Sequence, residues 1–288
     1  MSTREIKAAG LKALELATAL LQRARRADPV AGVWEAADVQ WWWRKPRRSD
    51  AAEKLFWVDD QGPVAGVLLT SWSDAAWQCD PVIVPGAAGP APSAVWSRAL
   101  EHARQHAAQG FEVPVSDDDL IFRELALGAG LTAGEQDRTA WLPAAERPSV
   151  STPRAGFAIV DRTGGRDAPH PMQARNGEDV AQRLEQCSLY DPALDLAVEA
   201  ADGRIAGYSL YWFDPITKLG LVEPVRVEDE FQRLGLARAM LSAGIERLAA
   251  RGAERIKISY QTEAAAALYQ GIGFRQTSTA TWYQAQPA

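Results

Sequence analysis

One stretch of the sequence has the residue types and spacing to hold an anion. It runs Val225-Arg226-Val227-Glu228-Asp229-Glu230-Phe231-Gln232-Arg233-Leu234-Gly235-Leu236-Ala237 and reads as a strand leading into a long helix. At a helix start the first backbone N–H groups have no partner within the helix, and the helix dipole is positive there. A phosphate or diphosphate fits such a place. Gly235 lets the backbone come close to a ligand, and the small Ala237 keeps the next turn clear. A plain strand-to-helix turn would use the same residues, so the loop has to be weighed in its context. Glu228, Asp229 and Glu230 read as a solvated turn, because they would repel any phosphate they faced.

The surrounding elements alternate. Phe157–Arg162 reads as a strand, Glu178–Ser188 as a helix, and Leu194–Glu199 with Ile205–Phe213 as a hairpin turning at Asp202-Gly203. Leu219–Val227 is a strand, Leu236–Arg251 a helix stopped by Gly252, and Arg255–Tyr260 a strand. Glu263–Gln270 is a short helix and Ala280–Ala285 a last strand. Strands paired first by a hairpin and then joined through helices predict a mixed, mostly antiparallel sheet in an α/β or α+β fold.

Part of this plan occurs twice. FWVDDQGPVAGVLL matches LAVEAADGRIAGYSL with Gly62 and Gly203 141 residues apart. Cys79-Asp80-Pro81-Val82-Ile83-Val84 matches Val222-Glu223-Pro224-Val225-Arg226-Val227, and Leu125–Gly130 matches Leu268–Gly273, both 143 residues apart. Three matches in one order at nearly one offset indicate duplication. The Pro-rich Leu142 to Ala155 is the expected linker, giving domains at 1–146 and 156–288. The first copy is expected to open with a helix, Arg4–Arg26, in place of the first strand.

The order strand, Gln232-x-x-Gly235-x-Ala237, long helix, strand, then Ala267-Leu268-Tyr269 with Gly273-Phe274 resembles the GNAT superfamily of acyl-CoA-dependent N-acyltransferases. The resemblance covers roughly residues 156–288, and it implies two GNAT-like domains in tandem. The tandem arrangement is similar to that of mycothiol synthase-like proteins, a likeness of architecture and not of substrate. It implies acetyl-CoA as cosubstrate, with Gln232, Arg233, Leu234, Gly235, Leu236 and Ala237 around its diphosphate. Its pantetheine arm would lie between the strands ending near Val227 and Tyr260, and an N–H from Val225, Arg226 or Val227 would polarise the thioester carbonyl. Thr262 stands where many members have Asn. Tyr269 would be the general acid for the departing thiolate, with a packed tyrosine as the alternative. Glu223 would be the base for the attacking amine, sharing a strand face with Val225 and Val227. Tyr190, Tyr211, Trp212, Trp282 and Tyr283 would shape the acceptor pocket, unless they are core residues, and Asp214 could attract a cationic amine. The expected acceptor is an amine of a small molecule or peptide. The alternative is a non-catalytic module that binds CoA or a metabolite, or a purely structural partner.

The first copy lacks the same features. At the 143-residue offset, Gln232–Ala237 falls on Gly89-Pro90-Ala91-Pro92-Ser93-Ala94, and Tyr269 falls on Ala126. Proline has no N–H to offer a phosphate, so the first copy is expected to keep the fold without CoA chemistry.

The remaining composition sets limits. The net charge of −6 gives no bulk attraction to nucleic acid, and no apolar run is long enough for a membrane span. The charged start MSTREIKAAG has no signal-peptide core, and two cysteines, Cys79 and Cys187, make no disulfide framework, so a cytoplasmic setting is expected. No metal is expected: His102 and His106, on a helix Ser93–Gln109, read as a solvated face. Nine of eleven Trp lie in the first half, and Trp41-Trp42-Trp43 beside Arg44, Lys45, Arg47 and Arg48 read as packing between domains in preference to stacking on a ligand or nucleic acid.

Overall fold

The computed structural model describes residues 3–107, 109–164 and 169–285. They divide into two units. Unit 1 is Met1–Val39, Pro46–Arg138 and Ser278–Ala288, and unit 2 is Gln40–Lys45 and Thr139–Thr277. These bounds differ from 1–146 and 156–288 because three segments change sides: Gln40–Lys45 and residues 139–146 belong with unit 2, and the C-terminal end with unit 1.

Unit 1 contains β1 (Arg4–Ala8), α1 (Gly10–Ala27), four further whole strands and two further helices. Its strands are β2 (Lys54–Asp59), β3 (Gly62–Ser71), β4 (Trp77–Ile83) and β5 (Phe111–Ser116). Its later helices are α3 (Pro92–His106) and α4 (Leu120–Gly128), while α2 (Ala36–Trp43) is divided between the units. β6 (Thr132–Pro143) is divided too, at Arg138. The sheet order is β1-β2-β3-β4-β5, antiparallel except at β4–β5. The first copy therefore does open with a strand. Arg4 to Ala8 pairs with Val58 to Lys54, and the apolar helical stripe begins only at Ala13, continuing through Ala17, Leu20 and Leu21.

Unit 2 repeats the order: β7 (Phe157–Asp161), α5 (Gln173–Asn176), α6 (Val180–Glu185), β8 (Asp195–Ala200), β9 (Ile205–Asp214), β10 (Leu219–Val227), α7 (Leu236–Ala250), β11 (Arg255–Tyr260) and α8 (Glu263–Ile272). The last strand, β12 (Arg275–Ala285), begins earlier than expected and crosses into unit 1 at Ser278, where it pairs with β5 from Ala280↔Ser116 to Ala285↔Phe111. The unit 2 order is β7-β8-β9-β10-β11, antiparallel except at β10–β11. Leu241, Ile245 and Leu248 of α7 pack with Leu194, Leu196, Tyr211, Val222 and Ile256, which makes the core that fixes α7 to the sheet. Arg247, on the same helix, reaches Asp161 at 2.7 Å.

Two expectations about the first copy are corrected. The helix expected over Ser93–Gln109 is α3, which ends at His106, and Ala108 lies outside the described residues. His102 is not on a solvated face: it is 2% exposed, with Nε2 2.7 Å from the Glu53 carbonyl. His106 lies edge-on to it and stacks on Trp77.

The Trp run is anchored in unit 2. Trp43 Nε1 donates to Gln186 Oε1 at 2.8 Å, Arg183 lies over the Trp43 ring, and Arg44 Nε donates to Asn176 Oδ1 at 2.8 Å. Gln40 Nε2 donates to Ser188 Oγ at 2.8 Å, while its Oε1 accepts from the Leu189 N–H at 2.8 Å.

Candidate active site

The turn before α7 is built as an amide cradle. Gln232 is extended, Arg233 has φ 60°, and Gly235, the N-cap, has φ 77°. Left-handed residues spaced this way turn successive N–H groups toward one side, the nest that binds anions. Holding a non-glycine residue such as Arg233 left-handed costs about 1–2 kcal/mol. Among the described residues the N–H groups from Arg233 to Ala237 donate to no backbone carbonyl, and no side chain caps the helix. Gln232 Nε2 donates to Asp229 Oδ1 at 3.0 Å and steadies the approach. Glu228 and Glu230 are turned to arginines, Arg175 and Arg204, and not to the cradle.

A cleft leads away from this turn. The β10–β11 ladder runs only from Leu219↔Arg255 to Leu221↔Lys257, so the two strands part beyond it. The N–H of Glu228 donates to the Ala206 carbonyl of β9 at 2.9 Å. By strand alternation, the N–H groups of Val225 and Val227 then point the other way, into the opening. Arg226 N–H points toward β9, which removes it from the three residues considered as carbonyl donors.

Tyr269 is on α8 at this opening. Its ring is 5.6 Å from Tyr260 and 6.2 Å from Phe274, and among the described residues its hydroxyl makes no hydrogen bond to protein. Burial, and then the negative charge of Glu223, push its phenol up to about 12. It is therefore a protonated donor throughout the neutral range. Thr262 is the N-cap of α8, its hydroxyl accepting from the Ala265 N–H at 3.2 Å, which leaves the hydroxyl proton to give. Arg238 of α7 donates to the Gly271 carbonyl at 2.9 Å and so ties the helix carrying Tyr269 to the helix that opens at the cradle.

Glu223 is placed near Tyr269, but not by the expected alternation. The β9–β10 register shifts between Val222↔Tyr211 and Val225↔Ser209, a bulge that sets Glu223 and Pro224 opposite one residue. Val222 and Val225 both pack into the clusters built with α7, although they are three residues apart. Glu223 therefore does not share the face of Val225 and Val227.

The aromatic residues divide. Tyr211 and Trp212 are fully buried: Tyr211 donates to the Met240 carbonyl at 2.8 Å, and Trp212 Nε1 to the Glu223 carbonyl at 3.0 Å. They are core residues, not pocket walls. A Cβ on Gly244 would lie 2.0 Å from the Tyr211 ring, so that helix position admits only glycine. Gly244→Ala should lower stability by about 1–3 kcal/mol, read as a fall in the urea midpoint without a change of slope. Trp282 and Tyr283 lie in unit 1, Trp282 donating to Asp137 at 2.9 Å and Tyr283 buried in that unit's core. Their place on the swapped end of β12 separates them from the unit in which the pocket was expected. Asp214 is buried and accepts from the Ile216 N–H at 2.9 Å, closing the β9–β10 turn.

Tyr190 remains half-buried, and sequence spacing missed what holds it. Its hydroxyl donates to Asp195 Oδ2 at 2.8 Å, and His170 Nε2 lies 2.8 Å from the same oxygen. The Met172 N–H donates to His170 Nδ1 at 3.1 Å, which leaves Nε2 as the nitrogen that carries the proton. His170 and Asp195 are 25 residues apart with no shared periodicity, so only the fold brings them together.

Unit 1 differs at the counterparts of the cradle and of Tyr269. α3 begins after Ala91 with Pro92 at its first position, so counted from the helix starts Gly235 corresponds to Ala91, one residue from the Pro92 given by the offset. Pro90 and Pro92 still remove two N–H groups there. Ala126, at the offset of Tyr269, is fully buried.

The comparisons bear on this geometry. Residues 166–274 match the family model described as the Acetyltransferase (GNAT) family. A mycothiol acetyltransferase of Kineococcus radiotolerans is 28% identical over 246 residues, covering 84% of this chain and 69% of that protein. The one of Clavibacter michiganensis subsp. michiganensis is 32% identical over 120 residues, which is 41% of this chain and only 38% of that protein. A solved tandem GNAT protein from the clavulanic acid biosynthesis pathway superposes with a TM-score of 0.72 at 15% identity, covering 100% of this chain and 99% of that one. The motif, its cradle and the doubled element order agree with these likenesses: residues 166–274 carry the match to the GNAT family, and the chain has the fold of a tandem GNAT protein.

Proposed function

We propose that unit 2 transfers an acetyl group from acetyl-CoA to an amine of a small molecule or peptide, by direct attack in a ternary complex. The observation that carries this reading is the cradle of free amides at Arg233–Ala237 together with a protonated Tyr269 in the field of Glu223. The donor set fits the cosubstrate: backbone amides and the exposed Arg233 and Arg238 suit a diphosphate, and the open strand edges suit an amide-bearing arm. When bound, acetyl-CoA supplies the activated acyl group. The Val225 and Val227 N–H groups would receive the carbonyl oxygen, Tyr269 would give its phenolic proton to the leaving sulfur, and Glu223 would take a proton from the amine, directly or through water. Tyr190, held by Asp195, borders the acceptor side. A reducing, cytoplasmic setting suits Cys79 and Cys187, both free and buried.

The name of the relatives, mycothiol acetyltransferase, puts amines related to mycothiol first in a screen of acceptors. Thiol release from acetyl-CoA across amine classes is the test. Release that depends on one amine class supports the transferase. Tight CoA binding with no release for any amine favours the binding-module alternative.

A further inference from the structure

Unit 1 holds a cavity of about 570 Å³ between β4, the loop from Pro85 to Pro92, the end of β5 and the start of α4. Its walls are largely Val, Ile, Pro and Ala. On the wall sits Asp80, 2% exposed. Its carboxylate accepts from Trp34 Nε1 on Oδ1 at 2.7 Å, and from Gln78 Nε2 on both oxygens at 2.8 Å. These donors are neutral, and among the described residues no Lys, Arg or His pairs with Asp80. A carboxylate has about four acceptor positions, so Oδ2 keeps capacity for a further donor. The one lining cation, Arg25, is held by Glu35 through Nε at 2.8 Å and Nη2 at 2.5 Å. Asp119 also lines the cavity, with Oδ1 accepting from the Phe122 N–H. Burial pushes the Asp80 carboxyl up to about 7, because its ionised form has no counter-charge beside it among the described residues.

A second observation points the same way. Asp80 is the counterpart of Glu223, each just before a proline, Pro81 and Pro224. Unit 1 keeps the acid at the position that faces an amine in the reading of unit 2. It has lost the amides for a diphosphate and the tyrosine.

We propose that this cavity binds a small organic ammonium ion on an apolar body, its charge set against Asp80, with no group transferred to it. Its volume is in the range of small-molecule pockets, and its apolar wall with one convergent polar group is their usual chemistry. The proposal borrows the amine-facing role from the reading of Glu223, but binding in unit 1 needs no turnover in unit 2.

The test is calorimetric titration of the full chain with phenethylamine, hexylamine and cyclohexylmethylamine, against phenethyl alcohol as the uncharged control. At least one amine should bind with one site per chain, and the alcohol at least about tenfold more weakly, as for the loss of a charged hydrogen bond. Asp80→Asn should cost a similar factor, and Val82→Trp, which fills the cavity and keeps the carboxylate in the sequence, should abolish binding. Glu223→Gln should leave it intact. Circular dichroism establishes that each variant is folded, and if Asp80→Asn is not, Val82→Trp carries the test. Binding by none of the three amines, equal binding of the alcohol, survival of binding in the cavity-filled variant, or its loss in Glu223→Gln would overturn the proposal. Thiol release by unit 2 is read separately, so failure here leaves the transferase reading standing.

Discussion

Tyr269→Phe should lower kcat by about 10²–10⁴-fold, the usual contribution of a general acid, and leave the affinity for CoA unchanged. The substitution removes one oxygen from a ring already held by Tyr260 and Phe274, so packing is retained. Rapid-mixing turnover beside calorimetric CoA binding separates the two effects. A loss of binding with turnover would make the tyrosine a ligand contact, and unchanged turnover would remove it from the chemistry. The pH profile adds a sign. Phenol raised to about 12 keeps its proton well past neutrality, so activity limited by this acid should persist far into the alkaline range. Glu223 adds to that rise after burial, because its negative charge disfavours a phenolate. Glu223→Gln should therefore move the alkaline limb to lower pH, in addition to whatever it costs in rate. A limb that stays in place would mean that the two groups are not coupled during turnover.

Gly235→Val should weaken CoA binding by about 5- to 30-fold, since holding a non-glycine residue left-handed costs about 1–2 kcal/mol. A β-branched side chain is stiffer still, and the turn would abandon the conformation that gathers the amides. Gly235 has φ 77°, and a Cβ there would meet no protein atom within 4 Å, so the penalty is one of backbone conformation and not of collision with the fold. Pantetheine, which lacks the diphosphate, is the control and should lose little. Equal loss for both ligands would mean that the turn acts on something other than phosphate.

Much of this site was legible because it is local. The helix α7, its glycine start and the strand Leu219–Val227 follow from periodicity and turn chemistry within one stretch, and they fall where expected. What was not legible came from tertiary contacts. The bulge at Glu223–Pro224 turns the carboxylate away from the face of Val225, and no alternation count reveals a bulge. Tyr211 looks like a pocket aromatic until Gly244 is seen to leave room for its ring. β12 continues past Thr277 into the other unit, so Trp282 and Tyr283 leave the unit to which their sequence position assigned them. The first strand was hidden because Arg4–Ala8 is mostly exposed and gains its structure from pairing with β2.

Titration of the full chain with acetyl-CoA puts the functional asymmetry of the two copies to a number. One equivalent should bind, and its affinity should fall in Gly235→Val, because the turn before α7 offers a cluster of free amides while the turn before α3 holds Pro90 and Pro92. Two equivalents per chain, or one whose affinity is indifferent to Gly235, would contradict the assignment of the coenzyme to unit 2.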